Sequence, residues 1–119
     1  MASRAHQENI VPVVTTALNE AKVNVKDLTS IAFTRGPGLL GSLLVGTSFA
    51  KSLSLSLSIP LIEVHHMKAH IHAHFIKEKK EDNPTPNFPF ICLTVSGGHT
   101  QIVWVEEPLK MKIIGTTID

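Results

Sequence analysis

The sequence predicts an α/β protein: a mixed sheet with flanking helices. Three observations carry that expectation. Apolar runs of strand length alternate with longer helical periods through the first half of the chain, the order that builds strand–helix–strand layers. The second half turns to short apolar runs separated by glycine and proline, the mark of hairpin strands. At 119 residues there is chain for one domain with a modest core.

The elements follow in order. Apolar positions at Ile10, Val13, Val14, Ala17, Leu18 and Ala21 give a helix over 6–21, with Pro12 accommodated by a kink or an early-turn position. Ile31-Ala32-Phe33-Thr34 is a buried strand that stops at Arg35-Gly36-Pro37-Gly38. A second helix begins near Leu39 or Gly41 and carries the small residues Ser42, Gly46 and Ala50 on one narrow stripe, a surface that lets another helix approach closely. From Ser52 to Ile59 serine alternates with leucine, closing on Ile59, and period two normally means strand. The stretch is nevertheless read as the end of this helix, over 41–57, because no breaker follows Ala50-Lys51 and Pro60 supplies the stop. Leu61-Ile62-Glu63-Val64 is a strand, and the histidine cluster opens a helix running to about Lys79. After a loop at Asn83-Pro84-Thr85-Pro86-Asn87, strands over 90–95 and 101–105 join across Gly97-Gly98, and a last strand covers 112–116. The chain opens on a helix and closes on a strand, as if cut at both ends.

Composition narrows the function. Net charge is +1 and the Lys and Arg residues are scattered, unlike the basic footprint of an autonomous nucleic-acid binder. The run Lys77-Glu78-Lys79-Lys80-Glu81-Asp82 nearly cancels itself and reads as a solvated helix end or loop. Cys92, the lone cysteine, sits in an apolar run and is expected to be a buried thiol, which fits a reducing compartment. The most apolar stretch, 39–50, is too short to span a bilayer and no signal peptide precedes it, so the expectation is a soluble, cytoplasmic protein with no membrane partner.

Five of the seven histidines fall in Val64-His65-His66-Met67-Lys68-Ala69-His70-Ile71-His72-Ala73-His74. Histidine is the commonest metal ligand, and residues four apart share one helix face, so His66 and His70 are the candidate pair. His74 continues that face, while His65 and His72 lie elsewhere around it; packing or solvent exposure explains any ring that is not a ligand. Two imidazoles are too few for a site, which needs at least one more protein ligand and an open position. A His-Glu-x-x-His metalloprotease is disfavoured, because Met67 and Lys68 stand where its general base belongs. Further on, Ser96-Gly97-Gly98-His99-Thr100 lies where one strand turns into the next. Two glycines permit positive φ, so successive N–H groups could cradle an anion, although an ordinary tight hairpin favours the same pair. Arg35-Gly36-Pro37-Gly38-Leu39-Leu40-Gly41 before a helix also has the look of an anion loop, without the Gly-Lys-Ser/Thr ending of a P-loop.

Taken in order, these motifs resemble one family, the tRNA adenosine threonylcarbamoyltransferases, also known as the O-sialoglycoprotein endopeptidase or glycoprotease family. Ser3-Arg4-Ala5-His6-Gln7-Glu8-Asn9 is similar to its first helix, and Thr34-Arg35-Gly36-Pro37-Gly38-Leu39-Leu40-Gly41-Ser42-Leu43-Leu44-Val45-Gly46 to its glycine-rich loop and second helix. Val64 to His70 resembles its metal-binding stretch, and Phe88-Pro89-Phe90 through Thr94-Val95-Ser96-Gly97-Gly98-His99-Thr100-Gln101 its substrate-contact strand and turn. The resemblance implies a partial actin-like ATPase lobe of the sugar kinase and actin type. It implies transfer of a threonylcarbamoyl group from threonylcarbamoyl-adenylate to the tRNA adenosine 3′ of the anticodon. It places one metal ion, iron or zinc, on His66 and His70, with an aspartate of a second lobe as third ligand, and substrate contacts on Thr94, Val95, Ser96, Gly97, Gly98 and His99. No catalytic residue is assigned within the chain.

The departures are as specific. The family's first strand, Glu-Thr-Ser-Cys-Asp-Asp, has no counterpart here, and Asp119 matches the first residue of its Asp-Asp-Ala-x-Gly-Glu signature. The expectation is therefore a single truncated N-terminal lobe over 1–119, inactive alone. Two alternatives stand beside it: a non-catalytic partner module of the same family, and a metallo-endopeptidase. In the family the first two helices pair with a second copy or an inactive relative, which implies an interface on the helices over 6–21 and 41–57.

Overall fold

The computed structural model describes residues 2–77 and 84–118, and the chain divides into two compact units, Met1–His66 and Met67–Asp119.

In the first unit, α1 (Ala2–Ala21) starts at Ala2 rather than His6. Ile10, Val14 and Leu18 form its half-buried stripe, while Val11 and Val13 stay exposed. Pro12 sits well inside the helix rather than in its first turn, where it forfeits one backbone donor. The helix closes in a Schellman motif: Val23 N–H donates to Leu18 O and Lys22 N–H to Asn19 O, both at 3.1 Å, with Lys22 left-handed at φ 56°.

Strands β1 (Ile31–Gly36) and β2 (Leu61–His65) pair in parallel, with Ile31 opposite Leu61. A parallel pair needs a crossover, and α2 (Leu40–Leu57) supplies it. The alternating serine segment is helical, as expected, and its hydroxyls bond to nearby backbone: Ser52 Oγ donates to Ser48 O at 2.8 Å and Ser54 Oγ to Ile59 O at 2.6 Å. Pro60 is not what ends the helix. A second Schellman motif does, with Ser58 left-handed at φ 55° and Ile59 N–H donating to Ser54 O. Because α2 runs through all 18 residues, it is long and apolar enough to cross a membrane by length and composition, which corrects the reading of 39–50 as too short. Within this unit α2 packs on β1 and α1, with Ala50 as its buried residue.

The small-residue stripe behaves differently from the expectation. Ser42, Gly46 and Ala50 line an open cavity of about 760 Å3 bounded by α1, β1 and α2, and a methyl group added at Gly46 would meet nothing within 4 Å. The close approach comes one residue off the stripe, where a Cβ on Gly41 would lie 3.1 Å from Ser3 Cβ. Phe33 and Ala50 are the buried apolar residues of this unit.

The second unit contains a meander. β3 (Phe90–Ser96), β4 (His99–Glu107) and β5 (Lys110–Ile118) pair antiparallel in that order. The α/β class is as expected, but among the described residues the parallel and antiparallel pairings fall in two separate sheets rather than in the single mixed sheet expected, because no ladder joins β1 or β2 to the meander. The inner face buries Cys92, Val103 and Val105 against Ile71, with Phe90 and Met111 beside them. Cys92 is the buried thiol expected of it. Phe75 stacks on Phe88 with ring centroids 5.3 Å apart, and both rings tilt against Phe90. The other face leaves Ile91, Leu93, Val95, Ile102 and Trp104 exposed.

The histidine helix is shorter than expected. α3 covers His66–His72, and a 3-10 turn over Ala73–Phe75 replaces its continuation before Ile76 turns extended. The tighter turn brings Phe75 to Phe88 and Phe90. The last two residues of the expected helix, Glu78 and Lys79, with the rest of the charge run beyond Lys77, the first loop residue Asn83 and Asp119, lie outside the described residues.

Candidate substrate and metal residues

His66 and His70 lie on α3, four residues apart, and both are solvent-exposed. His65 does not belong to the helix; it ends strand β2 opposite Gly36. His74 falls in the 3-10 turn, so it does not continue the α-helical face, and His72 turns toward Phe75 at a ring-centroid distance of 6.4 Å. The cluster therefore resolves into one i, i+4 helical pair and three histidines in other settings. Two imidazole nitrogens suit zinc or iron as part of a donor set. Among the described residues no group of three His, Cys, Asp or Glu side chains gathers around a common point.

The substrate candidates fall along the end of β3 and the hairpin tip. Alternation sends Thr94 to the same face as Cys92 and Val95 to the opposite, exposed face. Ser96 pairs with His99 across the turn formed by Gly97 and Gly98. Both glycines are exposed, and neither has the positive φ that a cradle of successive N–H groups would need. An anion nest is thus absent from this turn, and the ordinary tight hairpin is what the strand register requires. A Cβ at either glycine would meet nothing within 4 Å, so neither packing nor backbone strain explains the glycine pair. Thr94 Oγ1 is buried without a hydrogen-bond partner among the described residues, an arrangement that costs about 1–3 kcal/mol.

Sequence reasoning treated Arg35 as part of a helix-entry loop. The structure places it earlier, as the extra residue of a β-bulge: Thr34 pairs with Val64 and Gly36 with His65, leaving Arg35 unpaired between them. Its guanidinium donates to Glu63 Oε2 at 2.9 Å. The only sequence signal for that pair was charge at the ends of two otherwise apolar strands. At α2, Leu39 occupies the N-cap and makes no side-chain cap bond.

Comparison with known proteins gives the class first. The fold is that of the solved structure of YeaZ from Pseudomonas aeruginosa, at a TM-score of 0.65 and 18% identity over 95% of this chain and 53% of that one. A crystal structure of an uncharacterized protein with similarity to peptidase YeaZ from the same organism matches at 0.63 and 18%, over 91% and 48% of the two chains. The family is narrower. The sequence model of TsaD, the tRNA N6-adenosine threonylcarbamoyltransferase family, matches residues 1–119, and the chain belongs to that family. It is 65% identical to the tRNA N6-adenosine threonylcarbamoyltransferase of Christiangramia forsetii and 60% identical to that of Porphyromonas gingivalis, over 119 residues in each case. It covers all of its own length but 34% and 35% of theirs, so the chain spans about a third of these relatives.

Proposed function

We propose that this chain serves threonylcarbamoyl transfer from threonylcarbamoyl-adenylate to the tRNA adenosine 3′ of the anticodon, as one part of the transferase machinery. The observation that carries this reading is the family match across the whole chain, with the histidine pair and the Ser-Gly-Gly-His turn both inside it. Thr94, Val95, Ser96, Gly97, Gly98 and His99 are the proposed substrate contacts. The glycine pair supports this, since bare backbone at an exposed tip gives a ligand close access that side chains would block. His66 and His70 are the proposed holders of one iron or zinc ion, with a third ligand from outside these 119 residues. When bound, such a metal acts as a Lewis acid that orients and polarises a carbonyl group.

With two metal-ligand candidates in place of three, the 119 residues alone are expected to bind metal weakly and to lack transferase activity. The proposed setting is the cytoplasm, without a membrane; the packing of α2 on β1 and α1 supports that placement. The proposed assembly is with a second copy or a non-catalytic relative through α1 and α2, supported by the exposed Val11, Val13, Leu40 and Leu44 on those helices.

A chimera tests the function. The matching third of the Porphyromonas gingivalis enzyme is replaced by this chain, and threonylcarbamoyl transfer to tRNA is measured. Activity that is retained in the chimera and lost on His66→Ala or His70→Ala supports the reading. A folded chimera without activity, or one indifferent to both substitutions, rejects it.

A further inference from the structure

The geometry points to a small-ligand site at the carboxyl ends of β1 and β2, where Arg35 and Glu63 together receive a carboxylate with a neighbouring hydrogen-bond donor. A cavity of about 340 Å3 opens there, lined by Arg35, Gly36, Glu63, Val64 and His65. Its size is at the small end of ligand pockets, and its position is where open parallel α/β sheets bind ligands, beyond the carboxyl ends of the strands. The bulge is what puts Arg35 at its wall. Inserting one residue leaves Arg35 out of the ladder and re-aims its side chain, and such bulges concentrate next to functional sites. Gly36 then carries the chain away at φ 156°, a conformation that a side chain would resist.

Chemistry sets the ligand class. Glu63 engages one guanidinium nitrogen at 2.9 Å and so fixes the orientation of the planar fork. Arg35 has no other side-chain hydrogen bond among the described residues, which leaves donors on its remaining nitrogens for a bidentate carboxylate. Glu63 is acceptor-only and takes a hydroxyl or N–H from the same ligand. The ion pair is poorly explained by stability, because its side chains are 73% and 58% exposed and such pairs contribute little. A lone anion would also be opposed by the glutamate, so a bare phosphate fits less well than a molecule with both functions. The proposed transfer reaction narrows the class further, since a threonylcarbamoyl group bears a carboxylate beside a hydroxyl and an N–H; the choice of probe rests on that reading.

The test uses the 119-residue chain with N-carbamoyl-L-threonine as probe, followed by amide chemical shifts. Expected are perturbations at Gly36, Glu63 and His65 that saturate with acid but not with the corresponding primary amide, and an affinity about tenfold or more lower in Arg35→Gln. If Arg35→Gln loses its folded spectrum, Arg35→Lys, which keeps the charge and loses the fork, replaces it with the same expected weakening. Equal binding of acid and amide, unaltered affinity in the Arg35 variant, perturbations confined to other residues, or equally tight binding of inorganic phosphate would each overturn the site. No transferase activity enters the measurement. Failure here leaves the transfer reaction standing, and an inactive chimera leaves carboxylate binding measurable.

Discussion

The two units solve the problem of burying a sheet in different ways. In Met67–Asp119 three strands and most of α3 enclose Ile71, Cys92, Val103 and Val105, with Phe90 and Met111 packed beside them and Phe75 and Phe88 against Phe90. In Met1–His66 two helices and two parallel strands bury Phe33 and Ala50 and leave a cavity of about 760 Å3. Antiparallel strands can be half-solvated, so the meander needs cover on one face only, whereas parallel strands are normally covered on both. The difference teaches that the second unit stands on side-chain packing around a buried cluster, and the first on helix and strand geometry around a groove open to solvent.

The largest expected effect sharpens that contrast from the packed side. Ile71 is 2% exposed and carries α3 against the meander, so Ile71→Ala should cost about 3 kcal/mol, read from the shift in urea midpoint at constant slope. Phe33→Ala removes a larger side chain but borders existing empty space. Its cost should fall to about 2 kcal/mol, below the usual range for phenylalanine; a loss above that of Ile71→Ala would mean the first unit is the better packed one.

Glycine substitutions in α2 break the comparison along a single helix. At Gly41 an added methyl meets Ser3 at 3.1 Å, and Gly41→Ala should destabilise by about 1 kcal/mol through overpacking. At Gly46 the space is open, and Gly46→Ala should stabilise by up to about 1 kcal/mol through helix propensity. Thermal melts of the two variants should therefore move in opposite directions. The smallest effect belongs to the hairpin strand: Thr94→Val removes a buried hydroxyl that has no partner and should leave stability within about 1 kcal/mol, on the stabilising side. A clear loss in the melt would reveal a hydrogen bond that the described residues do not account for.

Much of this architecture was legible because the sequence carries local signals strong enough to outvote misleading ones. The Ser/Leu alternation reads as strand by period, yet the absence of a breaker after Lys51 correctly kept it helical. The hairpin at Gly97-Gly98 and the buried Cys92 followed from pattern alone. Other features depend on tertiary structure. The helix after His66 stops at His72 because the aromatic group of Phe75, Phe88 and Phe90 gathers around a 3-10 turn, and no local breaker announces that. The stripe Ser42, Gly46, Ala50 has the right spacing for a helix contact, but which face of α2 meets α1 is set by Gly41 and Ser3. At the candidate sites, the i, i+4 spacing of His66 and His70 was readable directly. The bulge that exposes Arg35 was not, since it exists only in the register between two strands distant in sequence.

Strand connectivity also bears on the order in which the chain assembles. β3, β4 and β5 follow one another through two-residue turns, Gly97-Gly98 and Pro108-Leu109, so their pairings close short loops. β1 and β2 meet only after the whole of α2 has been traversed, and the entropy of that larger loop has to be met before any ladder bond forms. During refolding the meander's amides should gain protection from hydrogen exchange ahead of those between Ile31 and Val64, so that the unit bearing the glycine turn is shaped while the unit bearing Arg35 is still searching.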